Sequence, residues 1–194
     1  MVFRNDPVGV VNSPVPGGGG SDSWQCALTP WPYWSQLSDW TTDADKTDEN
    51  ATQNCGPESI AMCLKYLTGV EEPADFIKDV ILGQNTVGTT TAQQLASYLR
   101  HYCEIPVDIL ISGSQNQFTW WVWEYLHRGK PLIWLRSFAY STDPILHWCP
   151  LNFMSPTQIG EADPWTGTSK KYSYADAWTW GGNTMLGLHR TRWQ

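Results

Sequence analysis

The sequence predicts an α+β fold, in which a helical half of the chain packs on a sheet formed by the rest. Between residues 56 and 128, apolar residues recur at the three- and four-residue spacing of buried helical faces, with one alternating stretch among them. From residue 131 onward, short apolar runs indicate strands. Helices first and strands second, with no internal repeat, is an α+β order.

Length and composition describe one globular domain, or one domain with an arm. A chain of 194 residues can bury a real core, and 41% hydrophobic with 16% charged residues is typical of a globular protein. The longest apolar runs are far too short to cross a bilayer, and residues 1–6 show no secretory signal. A net charge of -7 argues against nucleic acid as a partner, because phosphate binding needs clustered Lys and Arg.

Residues 1–23 differ in composition from the rest of the chain. They contain three prolines and the glycine run 17–20, with almost no periodic apolar signal. This composition predicts a flexible arm, with residues 24–194 as the folded domain. A tether is the simpler role for the arm, and docking on an assembly partner is the alternative.

Local signals place the individual elements. Thr89, Thr90 and Thr91 supply capping hydroxyls ahead of one helix, and Gly129 stops another. Prolines favour an extended conformation within residues 24–40. The predicted helices span residues 56–67, 73–82, 91–103 and 118–128, with a short one near 174–180, and the predicted strands span 105–111, 131–135, 147–153, 169–172 and 185–189.

An acidic stretch, residues 41–50, has the alternating spacing with which a calcium-binding loop begins. Asp43 would be the first ligand of that loop. However, Asp48 stands where the loop needs glycine, and Asn54 stands where it needs glutamate. We therefore interpret residues 41–50 as a solvated loop and predict no metal and no cofactor.

A cysteine, Cys55, lies at the N-terminus of the first predicted helix. Apolar residues at 60, 63, 64 and 67 define its buried face, Gly56 and Pro57 begin it, and Gly69 ends it. The positive end of a helix favours the thiolate, which is the nucleophilic form of cysteine, so Cys55 is a candidate nucleophile. The alternative is a buried cysteine that acts as a small apolar residue, which explains Cys63 better.

The five cysteines form neither a zinc motif nor a recognisable disulfide framework. Their number is odd and no C-x-x-C pair is present. A reduced compartment, or at least function with free thiols, is the simpler interpretation.

A nucleophilic cysteine needs a base and a group that orients the base. His101 and His127 lie at predicted helix C-termini and are well explained as surface residues, whereas His189, on a late strand, stays open. His147 opens a strand, and Asp163 follows sixteen positions later, which allows a strand, a turn and a return beside it. The alternative for Asp163 is an ordinary turn aspartate before proline.

These motifs resemble a known family. Cys55-Gly56-Pro57, His147-Trp148, Asp163-Pro164-Trp165 and the segment 33–37 are together similar to papain-like cysteine peptidases, related to the bacteriocin-processing, double-glycine-leader peptidases and to peptidase domains of phage lysins. The resemblance covers residues from about 28 to 190. It implies a papain-like fold, with an N-terminal helical half packed on a C-terminal antiparallel sheet.

The resemblance also implies the roles of the site residues. Cys55 would be the nucleophile, His147 the general base and then acid, and Asp163 the group that orients it. Gln36, with the backbone N–H of Cys55, would stabilise the tetrahedral oxyanion. The acidic loop separates Gln36 from Cys55 further than is usual in the family, so Gln53 is the alternative; Gln36 is favoured because Gln53 lies too close along the chain to fold back easily.

The resulting hypothesis is a cysteine peptidase. Relatives trim leader peptides or cut peptides of bacterial cell walls, and an acidic, Trp-rich domain with an arm favours a secreted or virion-borne peptidase acting on peptidoglycan. An amidase or acyltransferase with the same triad stays open. The competing hypothesis is a non-catalytic structural or binding subunit of a larger assembly, such as a virion, held through residues 1–23.

Overall fold

The structure, a computed structural model, describes residues 9–10, 25–37, 51–83, 86, 88–137, 146–181 and 183–190. Within these residues the chain forms five α-helices and eight strands. The helices are α1 (Cys55–Thr68), α2 (Ala74–Leu82), α3 (Ala92–His101), α4 (Gln115–Leu126) and α5 (Tyr174–Thr179). The strands are β1 (Gly9–Val10), β2 (Cys26–Thr29), β3 (Val107–Ile111), β4 (Leu132–Ser137), β5 (Leu146–Met154), β6 (Gln158–Asp163), β7 (Thr168–Ser173) and β8 (Thr184–Leu188).

The strands form one antiparallel sheet with β5 at its centre. The order along the sheet is β1-β2-β5-β4-β8-β3, and β6 joins β5 and carries β7. Each strand pair is antiparallel. In the register of β4 with β5, Arg136 lies opposite His147, and in the register of β6 with β7, Glu161 lies opposite Lys170 and Asp163 opposite Thr168. These registers decide which side chains surround His147.

Helix α1 is buried along almost its whole length and packs on β5. Twelve of its fourteen residues are buried. Gly69 ends the helix in the left-handed conformation, with φ 76°, which glycine adopts without strain. At the other end, a Cβ on Gly56 would lie 2.2 Å from Thr90 Oγ1. The first turn of α1 is therefore fixed against the segment that leads into α3.

The α+β fold class is confirmed, and so are the predicted elements, with shifted boundaries. Helix α4 begins at Gln115, three residues before the predicted start, because Ser114 caps it by accepting the N–H of Gln117 at 3.2 Å. The cap predicted for α3 is present as a complete capping box between Thr91 and Gln94. Strand β6 was not predicted, because its sequence, QIGEAD, shows little apolar alternation.

Several sequence predictions lie wholly or partly outside the described residues. They concern the acidic loop 41–50 and most of the predicted arm. Within the predicted arm, Gly9–Val10 pair antiparallel with β2 at Thr29 and Leu28. Among the described residues, none of the helices combines the length and the apolar character that crossing a membrane requires.

Candidate active site

Cys55 is the first residue of α1, and a serine one turn later ties its backbone to the sheet. The Ser59 hydroxyl lies 2.7 Å from the carbonyl oxygen of Cys55 and 3.0 Å from that of Trp148, so the one hydroxyl proton is shared between the two carbonyls. Trp148 in turn donates its indole N–H to the Thr90 carbonyl at 3.0 Å. Because Trp148 follows His147, these bonds hold the start of α1 beside the histidine.

Cys55, His147 and Asp163 form a buried hydrogen-bonded chain. His147 Nε2 lies 2.9 Å from Asp163 Oδ1, and the Cys55 thiol is hydrogen-bonded to the same imidazole. Since Nε2 faces Asp163, Nδ1 is the nitrogen left for the thiol. Cys55 is 8% exposed, His147 2% and Asp163 0%, so only the sulfur end of the chain approaches solvent. The structure thus brings these three predicted residues together.

The Asp163 carboxylate is surrounded by donors on both oxygens. Oδ1 accepts the backbone N–H of Trp165 at 2.8 Å in addition to its bond with His147. Oδ2 is paired with the Lys170 ammonium, and Arg136 Nη2 lies 3.7 Å away. Every position around this carboxylate is filled by a hydrogen bond or a cation, as a buried anion requires.

The pKa values of His147 and Asp163 reflect these hydrogen bonds and ion pairs. Burial alone would lower the pKa of His147, but its hydrogen bonds with Asp163 and Cys55 outweigh that effect and raise the pKa above the ordinary value. Burial alone would raise the pKa of Asp163, but hydrogen bonds from His147 and Lys170 hold it well below its usual range. The site therefore favours a charged imidazolium beside a charged carboxylate.

The other four cysteines lie in surroundings that disfavour a thiolate. Burial raises the pKa of Cys63 and Cys149 well above the ordinary value. Burial also raises the pKa of Cys26 to about 11, and burial together with the Glu72 carboxylate raises that of Cys103 to about 12. All five thiols are free of disulfides. A reactive thiolate near neutral pH is thus disfavoured at these four positions.

Gln36 lies beside the turn that follows Asp163. Its side chain is fully buried, and its backbone N–H donates to the Pro164 carbonyl at 2.8 Å. Gly167, with φ 64°, permits this approach, because a Cβ there would lie 3.2 Å from the backbone nitrogen of Ser35. Gln53 lies in the short 3-10 turn Ala51–Gln53, half-buried, and its Oε1 has no hydrogen-bond partner among the described residues.

A cavity of about 310 Å³ is lined in part by residues that neighbour Gln36 and Asp163 in the sequence, but not by the four proposed site residues themselves. It opens between the segment before Gln36, the start of α2 and the turn after Asp163. Two of its carboxylates are paired: Glu71 with Lys65 at 2.6 Å and Glu72 with the Tyr98 hydroxyl at 2.6 Å. The lining residues are Tyr33, Trp34, Ser35, Glu58, Glu71, Glu72, Pro73, Ala74, Thr166 and Gly167.

The remaining histidines lie on other parts of the fold. His101 is the last residue of α3, and His127 caps the C-terminus of α4, as predicted. His189 pairs with Asp108 at 2.7 Å and contacts Lys130 at 3.0 Å. His189, which the sequence left open as a base, therefore belongs to a separate polar cluster.

Sequence reasoning missed the charged residues behind the chain of Cys55, His147 and Asp163. Arg136 and Glu161 form a buried pair, with Nε to Oε2 at 2.9 Å and Nη2 to Oε1 at 2.7 Å, and Lys170 reaches Asp163 from β7. The two-residue spacing of Glu161 and Asp163 places both on one face of β6. That spacing is the one available signal, since the partners come from strands whose register the sequence does not give.

The same region contains a set of atoms with the chemistry of metal ligands. One ligand atom each from His147, Cys149 and Asp163 lie within 4.8 Å of one another, all buried. However, both oxygens of Asp163 are already engaged, and His147 Nε2 is bonded to one of them. Binding an ion would require these bonds to be exchanged, so the arrangement fits the hydrogen-bonded chain better than a metal centre.

The comparisons with a family model and with solved structures agree with one another. The model of the Peptidase_C39 like family matches residues 30–184. A protein from Bacillus anthracis described as a C39-like peptidase is similar in structure, with a TM-score of 0.61 and 14% identity over 87% of this chain and 99% of its own. The peptidase domain of Streptococcus ComA, a bifunctional ABC transporter of a quorum-sensing pathway, gives a TM-score of 0.55 and 15% identity over 72% and 93%. The search of curated proteins gives no match.

The family match covers most of the chain and includes Cys55, His147 and Asp163. The similar solved structures independently support the papain-like arrangement of helices on an antiparallel sheet. The chain therefore belongs to the Peptidase_C39 like family and is a cysteine-type peptidase with a papain-like α+β fold.

Proposed function

We propose that this protein hydrolyses peptide bonds with Cys55 as nucleophile, His147 as general base and acid, and Asp163 as the residue that orients the imidazole. The observation that carries the proposal is the buried hydrogen-bonded chain from the Cys55 thiol through His147 to Asp163. A thiol becomes an effective nucleophile when an adjacent base takes its proton and a third group fixes that base. A purely structural cysteine has no need of this arrangement.

The proposed reaction has two stages. His147 takes the thiol proton, Cys55 Sγ bonds to the scissile carbonyl carbon, and the C–N bond breaks as His147 returns the proton to the leaving amine. Water, deprotonated by His147, then attacks the thioester and releases the acid and the thiol. The raised pKa of His147 supports the first stage, because a stable imidazolium stabilises the thiolate beside it.

We propose a peptide as the substrate because apolar side chains project from the positions next to the site residues. Leu37 follows Gln36 and Trp165 lies two residues after Asp163, with exposed fractions of 49% and 36%. Exposed apolar side chains close in sequence to site residues favour contact with a ligand. Cell-wall cross-link peptides are the first substrate class to test, and this choice is based on the resemblance to lysin domains; an amidase or acyltransferase would use the same residues.

The decisive test is the selective alkylation of Cys55. In the native protein at pH 7, iodoacetamide is expected to modify Cys55 at least about tenfold faster than the other four cysteines, because Cys55 is hydrogen-bonded to His147 whereas burial raises the pKa of the other four thiols. Replacing His147 by Ala should remove this advantage. Peptide mapping by mass spectrometry identifies the modified residue, and His127→Ala, at a distant helix end, is the matched control. Equal reactivity of Cys55 and the buried thiols would instead favour a non-catalytic structural or binding subunit.

We propose Gln36, together with the backbone N–H of Cys55, as the oxyanion donor. The support is its burial beside the turn after Asp163. Replacing Gln36 by Ala is expected to lower kcat by about 10²–10³-fold, as the loss of one preorganised donor does, with little effect on Cys55 alkylation. Gln53→Ala is the comparison. A larger loss of kcat in Gln53→Ala would transfer the role to Gln53.

A further inference from the structure

We infer that Lys170 sets the pH range in which His147 is protonated, by sharing the Asp163 carboxylate with it. This inference is based on the proposed function of the site, since it assigns a positioning residue to the proposed catalytic pair. Lys170 touches neither Cys55 nor a reacting atom in this arrangement. It would act through Asp163, whose Oδ2 it pairs with while Oδ1 faces His147.

Even when His147 is neutral, each of the two buried carboxylates beside it is paired with a cation: Glu161 with Arg136 and Asp163 with Lys170. Glu161 is paired with Arg136 and also accepts the indole N–H of Trp134 at 3.0 Å and the hydroxyl of Tyr172 at 2.8 Å. Arg136 is thus committed mainly to Glu161 and lies 3.7 Å from Asp163. Lys170 is therefore the principal fixed cation on Asp163, and the imidazolium of His147 is the second.

The groups that face this pair come from five elements. Cys55 reaches His147 from α1, while Cys149 lies two residues further along β5. Strand β4 contributes Arg136, β6 contributes Glu161, and β7 contributes Lys170 and Tyr172. Of these, Lys170 has the most exposed charged side chain, 39% against 4% for Arg136 and 0% for Glu161. Replacing it therefore removes no buried cation, and Asp163 keeps its hydrogen bonds with His147 and the Trp165 N–H.

The direction of the effect follows from electrostatics. An ammonium beside Asp163 partly neutralises the carboxylate that attracts the imidazolium. Removing Lys170 leaves Asp163 a stronger partner for the proton on His147, so the imidazolium persists to higher pH. With Lys170 present, neutral His147, which is needed as the base in the second stage, is available closer to neutral pH.

Lys171 offers a matched control on the same strand. Its side chain lies on the opposite face of β7, with the ammonium 3.8 Å from the centroid of the Phe153 ring. Lys171→Met changes the net charge of the protein by the same amount as Lys170→Met. A shift in the pKa of His147 that occurs in Lys170→Met but not in Lys171→Met is thus due to the contact with Asp163 and not to the change in net charge.

The test is an NMR titration of the His147 ring in the full chain, carried out in the Cys55→Ala background, with His147→Gln to assign the signal. Lys170→Met and Lys170→Gln are expected to raise the pKa of His147 by about one pH unit relative to the parent. Lys170→Arg and Lys171→Met should leave it unchanged. An absent or downward shift, or an equal shift in Lys171→Met, would overturn the inference.

The outcome separates this inference from the proposed function. Failure of selective Cys55 alkylation in the native protein would argue against the proposed function whatever the NMR result. Selective alkylation together with an unmoved His147 titration would leave the proposed function intact and remove the role of Lys170. A merely structural lysine would alter the unfolding midpoint without moving the pKa of His147.

Discussion

Replacing Cys55 by Ala is expected to reduce peptide hydrolysis by at least about 10⁴-fold, because the covalent stage of the proposed mechanism has no substitute nucleophile. The other cysteine near His147, Cys149, is fully buried, and burial raises the pKa of its thiol. It therefore offers neither access to a substrate nor a thiolate. The measurement is the appearance of new amino termini, by mass spectrometry, in soluble cell-wall cross-link peptides and in a diverse peptide library.

Cys63→Ala is the matched control for this experiment. Cys63 lies on the same helix and is fully buried, so the control removes a buried sulfur from α1 without touching His147. We expect it to retain hydrolysis. If Cys55→Ala kept more than about a tenth of the native rate, Cys55 would not be the nucleophile. Hydrolysis confined to one of the two substrate sets would decide between a cell-wall and a general peptide substrate.

Replacing Arg136 by Met is expected to lower the free energy of unfolding by about 3–5 kcal/mol, the usual effect of leaving a buried charge without its partner. Arg136 is 3% exposed and Glu161 is 0% exposed, and two hydrogen bonds join them. Without the guanidinium, the Glu161 carboxylate would keep the neutral donors of Trp134 and Tyr172 as its hydrogen-bond partners among the described residues. Urea unfolding at pH 7 measures the change.

Two further variants make this prediction specific. The double variant Arg136→Met with Glu161→Gln should lose less stability than Arg136→Met alone, because no carboxylate is then stranded. Arg128→Met should cost less than about 1 kcal/mol, since Arg128 pairs with Glu124 at 2.7 Å on the surface, where its side chain is 53% exposed. Equal losses in Arg136→Met and Arg128→Met would show that the buried pair contributes no more than a surface pair.

Elements with strong local signals were predicted well. The periodic apolar face, with Gly56 and Pro57 at its start and Gly69 after its end, predicted the bounds of helix α1 almost to the residue. The threonines before α3 predicted its capping box.

The sequence signals for a boundary were weaker where an element begins with polar residues. The first turn of α4 is polar, so the prediction began at Phe118 instead of Gln115. Pro106 lacks an N–H to donate, and β3 begins directly after it at Val107.

The sequence by itself determined the fold class, the helix that presents Cys55, and the histidine and aspartate sixteen positions apart that lie beside it. The fold class and the helix depend on short-range spacing, whereas the roles of the histidine and the aspartate are what the resemblance to the family implies. Only the tertiary structure decided the surroundings of Asp163. Lys170, Arg136 and Glu161 meet because four antiparallel strands, β4, β5, β6 and β7, pair in one particular register. A shift of one residue would turn each side chain to the other face of the sheet, and no local pattern in the sequence specifies that register.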